Sequence, residues 1–431
     1  MTQGTAAAAP APPPAAPAPA QQSVVQYPAP SGVPAGHAVE DTPTLLNRLQ
    51  LAGMAIAIVF GLLSAMLQFF GWQADGNAAG DTEQLIRVQE IQSSLLHADA
   101  LATNAFLEPG KINAEQSADY TDALDTVLTE IAAAAKAQPA DQKALAALAV
   151  DVNDYATGVA LARAYNEEQK PVGAEYLSEA SASLHANALP ILDNLTTANS
   201  DRAQGSMAGQ HPIWLALVGI LALVGLWWLN RRLAQLFRRR VNVGLAVAAV
   251  IVLLVTVVSG IAAWRGDNQN DSLRGDQLAN AIDQSAARTA ANDAKANESL
   301  RLINRGSGDK YEGPWADDAK VVEAKADPDS LSDWEAYTRV HKKMMDLEET
   351  DFHRQAVAIA TDSTKDGATA LFQKFDAASV SIIDKAGDDV QDQLRSGRSL
   401  AFAGLVLTVL LGIVAAMSVS RGLGARRREY A

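Results

Sequence analysis

The sequence predicts an all-α membrane protein in which four transmembrane helices carry two extracytoplasmic four-helix bundles. Three observations lead to this fold class: four long apolar segments, a charge difference between the segments that separate them, and a helical pattern whose layout is repeated in the two halves. The chain has 431 residues, a formal net charge of −14 and a mean hydropathy of about zero. That mean results from two distinct populations of segments, one almost purely apolar and one strongly polar.

The four apolar segments lie at residues 49–72, 213–230, 241–264 and 400–420. Each is close to the 17–25 residues that a helix needs to cross a hydrocarbon core, and none contains Asp, Glu, Lys or Arg. The first begins too late and runs too long for a cleaved signal peptide. We therefore interpret all four as transmembrane helices.

Arginine placement predicts the orientation. The loop 231–240 and the tail 421–431 are rich in this residue; the arginines considered as contacts are Arg231, Arg232, Arg238, Arg239, Arg240, Arg426, Arg427 and Arg428. The positive-inside rule places both segments, and both termini, in the cytoplasm. Segments 73–212 and 265–399 are then outside, with net charges of −13 and −8, and the rest of the chain carries +7. The arginines would contact either a cytoplasmic partner or anionic membrane lipid.

The two outer segments have a helical composition and are divided by proline and glycine. In the first, four pieces are expected near 79–108, 112–137, 141–169 and 172–210, with a kink at Pro190. In the second, a long helix near 267–305 is followed by a short helix, one near 330–349, and a long last helix that reaches Arg398. Four antiparallel helices return the chain to the membrane each time, so the outer helices are expected to continue the spans.

The matched layout of the halves predicts a tandem duplication. The run that begins at Asp99 (DALATN) resembles the run that begins at Asp293 (DAKANE), at an offset of 194, and the span starts at 49 and 241 differ by 192. The segment before the first span, 1–48, is different. Its Pro/Ala-rich composition predicts a disordered cytoplasmic arm that is either an inert tether or a dock for a proline-recognising partner.

Catalytic chemistry is poorly supported. The absence of cysteine excludes disulfides, thiolate metal sites and a cysteine nucleophile. The histidines have no metal-ligand spacing, and no phosphate-binding glycine motif occurs. The acidic balance disfavours nucleic acid, and the cytoplasmic segments are too short to form an enzyme. We expect no enzymatic activity, no cofactor and no metal.

Small residues recur every four positions in two spans and predict close helix packing. The first stripe is Gly53, Ala57, Gly61 and Ala65, and the second is Gly404, Thr408, Gly412 and Ala416. Such spacing lets helix backbones approach each other. The stripes would pack together or against a second protomer in a homodimer.

Six polar residues in the bundles are candidates for a ligand or partner site: Asp99, Asn104, Arg163, Asn166, Tyr176 and Arg301. Several lie near the Pro171-Val172-Gly173 turn, which the topology places at the tip far from the membrane, where an outside partner would land. Helix capping and turn formation are the alternative explanation for these residues.

Several stretches of the chain resemble a known family. They are YATGVALARAYN (155–166), PVGAEYLSEAS (171–181), the Leu-Pro pair at 189–190, AKANESLRLINRGSG (294–308) and the Tyr-Glu pair at 311–312. They look like the actinobacterial GlnX-type membrane proteins, and the layout is similar over the whole chain except the N-terminal arm. The resemblance implies a relay between a GlnH-type solute-binding lipoprotein outside and a PknG-type Ser/Thr kinase inside, which reports acidic amino acids.

The sequence therefore predicts a non-enzymatic signal relay in the plasma membrane. Two other interpretations remain open. In one, a bundle binds a small ligand directly, as chemoreceptors do; in the other, the protein is a structural component of the envelope.

Overall fold

The computed structural model describes residues 42–108, 114–208, 212–237 and 241–427, and every regular element in these ranges is helical. The predicted all-α class is confirmed for this part of the chain. The arm up to residue 41, together with Arg238, Arg239, Arg240 and Arg428, lies outside the described residues.

The first half begins with an unusually long helix. Its helices are α1 (Thr42–Phe106), α2 (Ala114–Ala137), α3 (Gln142–Glu167), α4 (Val172–Ser183), α5 (Leu189–Met207) and α6 (Pro212–Phe237). α1 has 65 residues, which corresponds to about 97 Å at 1.5 Å per residue. It joins the predicted first span to the first bundle without interruption, as the sequence indicated.

The second half has three more breaks than the sequence predicted, at Asp276, before Gly367 and at Gly397. Its helices are α7 (Val243–Gly275), α8 (Gln277–Ile303), α9 (Glu312–Lys325), α10 (Pro328–Glu349), α11 (His353–Ala360), α12 (Ala368–Ser396) and α13 (Arg398–Arg427). The helix expected near 267–305 is interrupted at Asp276, after Gly275. The long last helix is split because the chain turns tightly between Asp362 and Gly367, where a side chain at 367 would collide with the Asp362 backbone.

Five helices, judged by the described residues, are long and apolar enough to cross a membrane. Four of them contain the predicted spans, and their outward faces are apolar: Leu62, Ile213, Val258 and Leu400 expose 58–77% of their surface. The fifth, Pro139–Glu167, was not predicted as a span. Its apolar side is already buried in the core of the first half, which explains its hydropathy without a membrane.

The two small-residue stripes meet within one chain, where α1 crosses α13. A Cβ atom placed on Gly61 would lie 3.1 Å from the Gly412 Cα atom, so the backbones are almost in contact. Ala57, Ala65 and Ala416 are buried around this point. Further along, Gln68 Nε2 donates to Thr408 Oγ1 at 3.0 Å and to Ser259 Oγ of α7 at 3.2 Å.

Two other stripe residues have different surroundings. A Cβ atom on Gly53 would lie 2.7 Å from Val419 Cγ1, whereas one on Gly404 would meet only Gln68 Oε1, at 3.9 Å. Gly61 and Gly404 therefore differ in how much space a methyl group would find.

We expect Gly61→Ala to reduce the free energy of unfolding by about 1–3 kcal/mol, because the added methyl group forces two backbones apart. Gly404→Ala is the matched control and is expected to be neutral. The measurement is unfolding of the full chain in mixed detergent micelles. Equal stability of the two variants would show that the α1–α13 crossing is looser than the structure indicates.

The two halves lie side by side, with α1 parallel to α7 and α8. Three hydrogen bonds join residues that are 195 positions apart: Asn270 Nδ2 to Asp75 Oδ1 at 3.4 Å, Arg288 Nη1 to Ser93 Oγ at 2.8 Å, and His97 Nδ1 with Asn292 Oδ1 at 2.8 Å. A constant separation means that the helices run in the same direction and in register. The two helical segments between the predicted spans are thus packed on each other.

Each half also has its own core. The first is built around Leu95, Val152 and Leu192, and the second contains an aromatic cluster with Trp334 and Phe375. A further cluster close to the predicted spans draws on both halves: Ala78, Ala79, Leu85, Ala203, Met207, Leu273, Leu278, Val390 and Leu394. α1 therefore contributes to the core of the first half and to this shared cluster, which we call the junction.

Candidate functional site

Asp99 lies at the centre of the first bundle and is fully buried. Its carboxylate accepts hydrogen bonds from Tyr155 Oη at 3.0 Å and Ser181 Oγ at 2.7 Å. Burial raises its pKa above the ordinary value, although both hydrogen bonds oppose the shift. Asp99 thus links α1 to α3 and α4, with Ser181 standing between it and the surface.

Arg163 and Tyr176 occupy the tip of the first bundle but do not converge. The Arg163 guanidinium lies 4.0 Å from the centroid of the Tyr120 ring. The Tyr176 ring stacks on Tyr165 at 5.3 Å. Both contacts join helices of the first half to each other.

Asn104 and Asn166 are placed in the same region. Asn104 is buried, and its Oδ1 atom accepts no hydrogen bond from the described residues. Asn166 lies beside the Pro171 turn, where a Cβ atom on Gly173 would come within 3.1 Å of its backbone nitrogen. Close packing at this turn explains the glycine.

Arg301 belongs to the second half. Its guanidinium is paired with Asp309 at 3.4 Å and with Glu312 at 3.5 Å. The structure therefore does not gather the six sequence-predicted residues into a single site.

A cleft lies between the two halves, and the sequence analysis missed it. It has a volume of about 720 Å³ and is lined by Glu175, Ser178, Glu179, Ser181, Ala182, His185, Asp293, Asn297, Leu300, Lys310, Tyr311 and Pro314. One wall comes from α4 and the turn that follows it, and the other from α8 and the Gly308–Tyr311 turn. It lies toward the end of the bundles that is far from the predicted spans.

His185 reaches across this cleft because the helix widens around it. Residues Leu184–Ala188 form a π-helical turn, closed by the Leu189 N–H donating to the Leu184 carbonyl. Pro190 follows and has no N–H to bond the carbonyl four residues back, so the ordinary helical spacing is lost here. The kink expected at Pro190 therefore takes the form of a widened turn just before it.

The His185 ring joins the two halves through an ion pair. Its Nε2 atom lies 2.8 Å from Asp293 Oδ1 of α8, and its Nδ1 atom lies 2.8 Å from the Ser181 carbonyl oxygen. Burial alone would lower the pKa of His185, but the hydrogen bond and charge of Asp293 raise it to about 9. The imidazole is therefore cationic at neutral pH.

Asp293 has a second set of neighbours inside the cleft. Asn297 Nδ2 donates to Asp293 Oδ1 at 3.3 Å and approaches Asp318 Oδ2 at 3.5 Å. Burial, together with the Asp293 carboxylate, raises the pKa of Asp318. Asp318 is therefore held toward its neutral form, and the charged pair at this locus is His185 with Asp293.

A second polar contact between the halves lies nearer the predicted spans. Arg288 binds Asp376 through two hydrogen bonds, of 2.8 and 3.1 Å, and reaches Ser93 of α1. Burial disfavours the Asp376 carboxylate, but Arg288 and then His97 outweigh it and lower the pKa of Asp376 to about 2. The charges of Arg288 and Asp376 therefore balance each other at this locus.

The second half contains a buried charged cluster around Glu298. The carboxylate is paired with Lys295 Nζ at 2.6 Å and His341 Nδ1 at 2.7 Å, and it accepts a hydrogen bond from Tyr337 Oη at 2.7 Å. Trp315 stacks on the His341 ring at 3.6 Å. Sequence inspection gave no signal for this cluster, because its members lie on α8, α9 and α10.

The arginines of the predicted cytoplasmic side are described only in part. Arg231 and Arg232 lie over the rings of Trp227 and Trp228, at 5.5 and 5.4 Å from the ring centroids. Arg426 and Arg427 are the last residues of α13, and their side chains lie outside the described part of the structure. Among the described residues, no group of three or more His, Asp or Glu side chains is arranged to hold a metal ion.

Comparison with known proteins gives one result. Neither a curated protein nor a solved structure matches the chain. Residues 74–208, which include most of α1 beyond the first predicted span and all of α2 to α5, match the family model described as an actinobacterial sensor domain. The chain thus contains a segment similar to an actinobacterial sensor domain, with apolar helices on either side that are long enough to span a membrane.

Proposed function

We propose that this protein is a non-enzymatic transmembrane relay, which passes an extracytoplasmic nutrient signal to a cytoplasmic Ser/Thr kinase. The sensor-domain match supports a sensing role. The finer assignment rests on the resemblance to GlnX-type proteins, in which a solute-binding lipoprotein reports acidic amino acids. In this proposal the output goes to a separate protein, the kinase.

In this proposal the chain crosses the membrane four times, with both termini and the loop 231–240 inside. The fifth apolar stretch stays outside as helix α3, because Leu145, Val152 and Val159 are buried in the bundle core. Its Asp151 and Asp154 would also be costly in hydrocarbon. The arginines at the ends of α6 and α13 support the inward orientation of these ends.

The observation that carries the relay is the continuity of α1. This one helix contains the Gly61 crossing with α13, the junction residue Leu85 and the buried Asp99 of the sensor domain. A displacement at the sensor end therefore moves the span with it, as in the rigid-body and helix-shift transitions of other signalling proteins. The apposed α8 would follow, since it is hydrogen-bonded to α1 in register.

The experiment interrupts α1 between the sensor domain and the span. Gly80 is exposed, and a Cβ atom placed there would meet nothing within 4 Å. Gly80→Pro removes a helical hydrogen bond and clashes with the carbonyl four residues back, whereas Gly80→Ala favours the helix. Kinase activity after an aspartate or glutamate shift is measured in cells that express each variant.

The relay predicts loss of the kinase response in Gly80→Pro and its retention in Gly80→Ala. Circular dichroism of both purified variants checks that helix content outside the break is preserved. An undiminished response in Gly80→Pro would refute transmission through α1. Recovery of the loaded lipoprotein and the kinase with wild-type protein, by in-membrane crosslinking and mass spectrometry, tests the partners separately.

The cleft favours a second candidate function, direct sensing of a small ligand. Its volume is in the range of small-molecule sites, and its two walls belong to different halves. Calorimetry on the purified full chain without any lipoprotein separates the two functions, because only direct sensing predicts binding under those conditions.

A further inference from the structure

The two polar loci between the halves occupy matching positions in the two halves of the chain. His185 and Asp376 are separated by 191 residues, close to the offset that relates the halves. His185 lies in the widened turn between α4 and α5, and Asp376 lies on α12. Both segments return toward the predicted spans, and each of the two residues contacts a long helix of the other half, α8 for His185 and α1 for Asp376. His185 pairs with Asp293 at 2.8 Å, and Asp376 approaches His97 at 3.9 Å. The two loci can therefore be compared position by position.

In the second half the protein supplies its own cation. The Arg288 guanidinium neutralises Asp376 through paired hydrogen bonds, with Asn292 Nδ2 as an additional donor at 3.1 Å. Paired contacts of this kind satisfy both oxygens of a carboxylate. The side chains of Arg288 and Asp376 are only 8% and 12% exposed, so the locus is closed to solutes.

In the first half the position that corresponds to Arg288 carries no charge. The residue 195 positions before Arg288 is Ser93, whose hydroxyl carries no charge. Around His185, burial and the Asp293 carboxylate raise the pKa of both Asp99 and Asp318, and the imidazole pairs with Asp293 at 2.8 Å. Instead of a guanidinium, this side of the interface has an open cleft.

The polar atoms that face the cleft are mainly acceptors. Asn297 is only 8% exposed and gives its amide protons to Asp293 and Asp318, while its Oδ1 atom accepts no hydrogen bond from the described residues. Glu175 and Glu179 add two exposed carboxylates at the rim. A ligand that fits this lining brings hydrogen-bond donors and positive charge.

Lys310 does not fill this role in the structure. Its ammonium group lies over the Tyr311 ring, 4.8 Å from the centroid, on an exposed side chain. The remaining wall is apolar, with Ala182, Leu300 and Pro314. The cleft therefore combines an acceptor-rich face with a surface suited to a short hydrocarbon chain.

We propose that the cleft binds a small organic cation, with an ammonium or guanidinium group held by Asp293, Asn297 and the rim glutamates. The ligand would supply at this locus the positive charge that Arg288 supplies in the other half. Binding would tighten the contact between α4 and α8, and thereby bias the packing of the halves that the relay uses. The inference rests on a sensing function but not on the lipoprotein or the kinase.

The test is isothermal titration calorimetry on the full chain in nanodiscs, with agmatine and putrescine as cationic probes and L-glutamate as the anionic comparison. We expect saturable binding of at least one cationic probe. Glu175→Gln combined with Glu179→Gln is expected to weaken it by roughly tenfold, and Asp293→Asn by more, since each removes charge-assisted acceptors. Glu323→Gln, on the exposed face of α9, is the matched control and should leave the affinity unchanged.

The double glutamine variant protects the test against misfolding, because both glutamates are exposed and make no hydrogen bond among the described residues. Absence of binding by both cationic probes would overturn the proposal, as would binding that the cleft variants and the control affect equally. Binding of L-glutamate alone would also overturn it. The kinase response of the Gly80 variants is measured independently, so the relay and the cleft ligand fail or succeed separately.

Discussion

Replacement of Glu298 by glutamine is expected to lower the free energy of unfolding by about 3–5 kcal/mol. The Glu298 side chain is completely inaccessible, and those of Lys295 and His341 are only 3% and 4% exposed. Glutamine keeps the shape but removes the charge, which leaves the Lys295 ammonium buried without a counter-ion. Its other bond, to the Ala360 carbonyl oxygen at 3.2 Å, does not replace the lost ion pair.

Unfolding of the purified full chain by denaturant in detergent measures this effect. Glu335→Gln, an exposed position on α10, is the control and should leave stability unchanged. Replacing both Lys295 and Glu298 with methionine removes the unpaired charge and should recover part of the loss. If Glu298→Gln were as stable as the control, the cluster would have to be hydrated and open to solvent.

The same cluster predicts a stability maximum between mildly acidic and neutral pH. Burial opposes ionisation of Glu298, but Lys295 and His341 lower its pKa to about 2. Its contribution is therefore complete above the ordinary carboxyl pKa of about 4.5 and is lost as pH falls toward 2. Burial would lower the pKa of His341, but Glu298 and Glu312 raise it above the ordinary value. The stability that protonated His341 contributes is therefore complete below about 6.5 and is lost as pH rises through the raised pKa. Glu298→Gln should weaken the dependence of stability on pH on both sides of this maximum.

The helical class and the continuity of α1 could be predicted from the sequence because both depend on local composition. No proline lies between Leu49 and Phe106, and a helix needs no distant partner to satisfy its backbone. The extra breaks at Asp276, before Gly367 and at Gly397 were missed, since glycine within a helical pattern is ambiguous. The small-residue stripes were visible for a similar reason, because they repeat every four positions.

The cleft and the polar loci could not be predicted in the same way. His185 and Asp293 are 108 positions apart, and Arg288 and Asp376 are 88 apart, so only the packing of the halves makes them neighbours. Asp99 and Arg301 were noticed as isolated polar residues, but each satisfies its charge within its own half. One usable signal was present: a histidine five residues before Pro190, which marks a widened turn that redirects its side chain.

Arg288→Met is the substitution that we expect to affect the contact between the halves most. The guanidinium satisfies Asp376 of its own half and donates to Ser93 of the other half. Its removal leaves a buried carboxylate with only His97 and Asn292 nearby, at a cost of about 3–5 kcal/mol. The pKa of Asp376 should rise from about 2, so that the folded protein becomes sensitive to acid at a higher pH than the wild type.

Unfolding curves at several pH values test this expectation, with Arg339→Met on the exposed face of α10 as the control. Combining Arg288→Met with Asp376→Leu should restore stability in part and abolish the acid sensitivity, because no buried carboxylate remains. Since Arg288 also ties α8 to α1, the single variant should separate the unfolding of the two halves more than the wild type does. Unchanged stability with an unchanged pH profile in Arg288→Met would mean that the Arg288–Asp376 locus neither holds the halves together nor contributes to transmission between them.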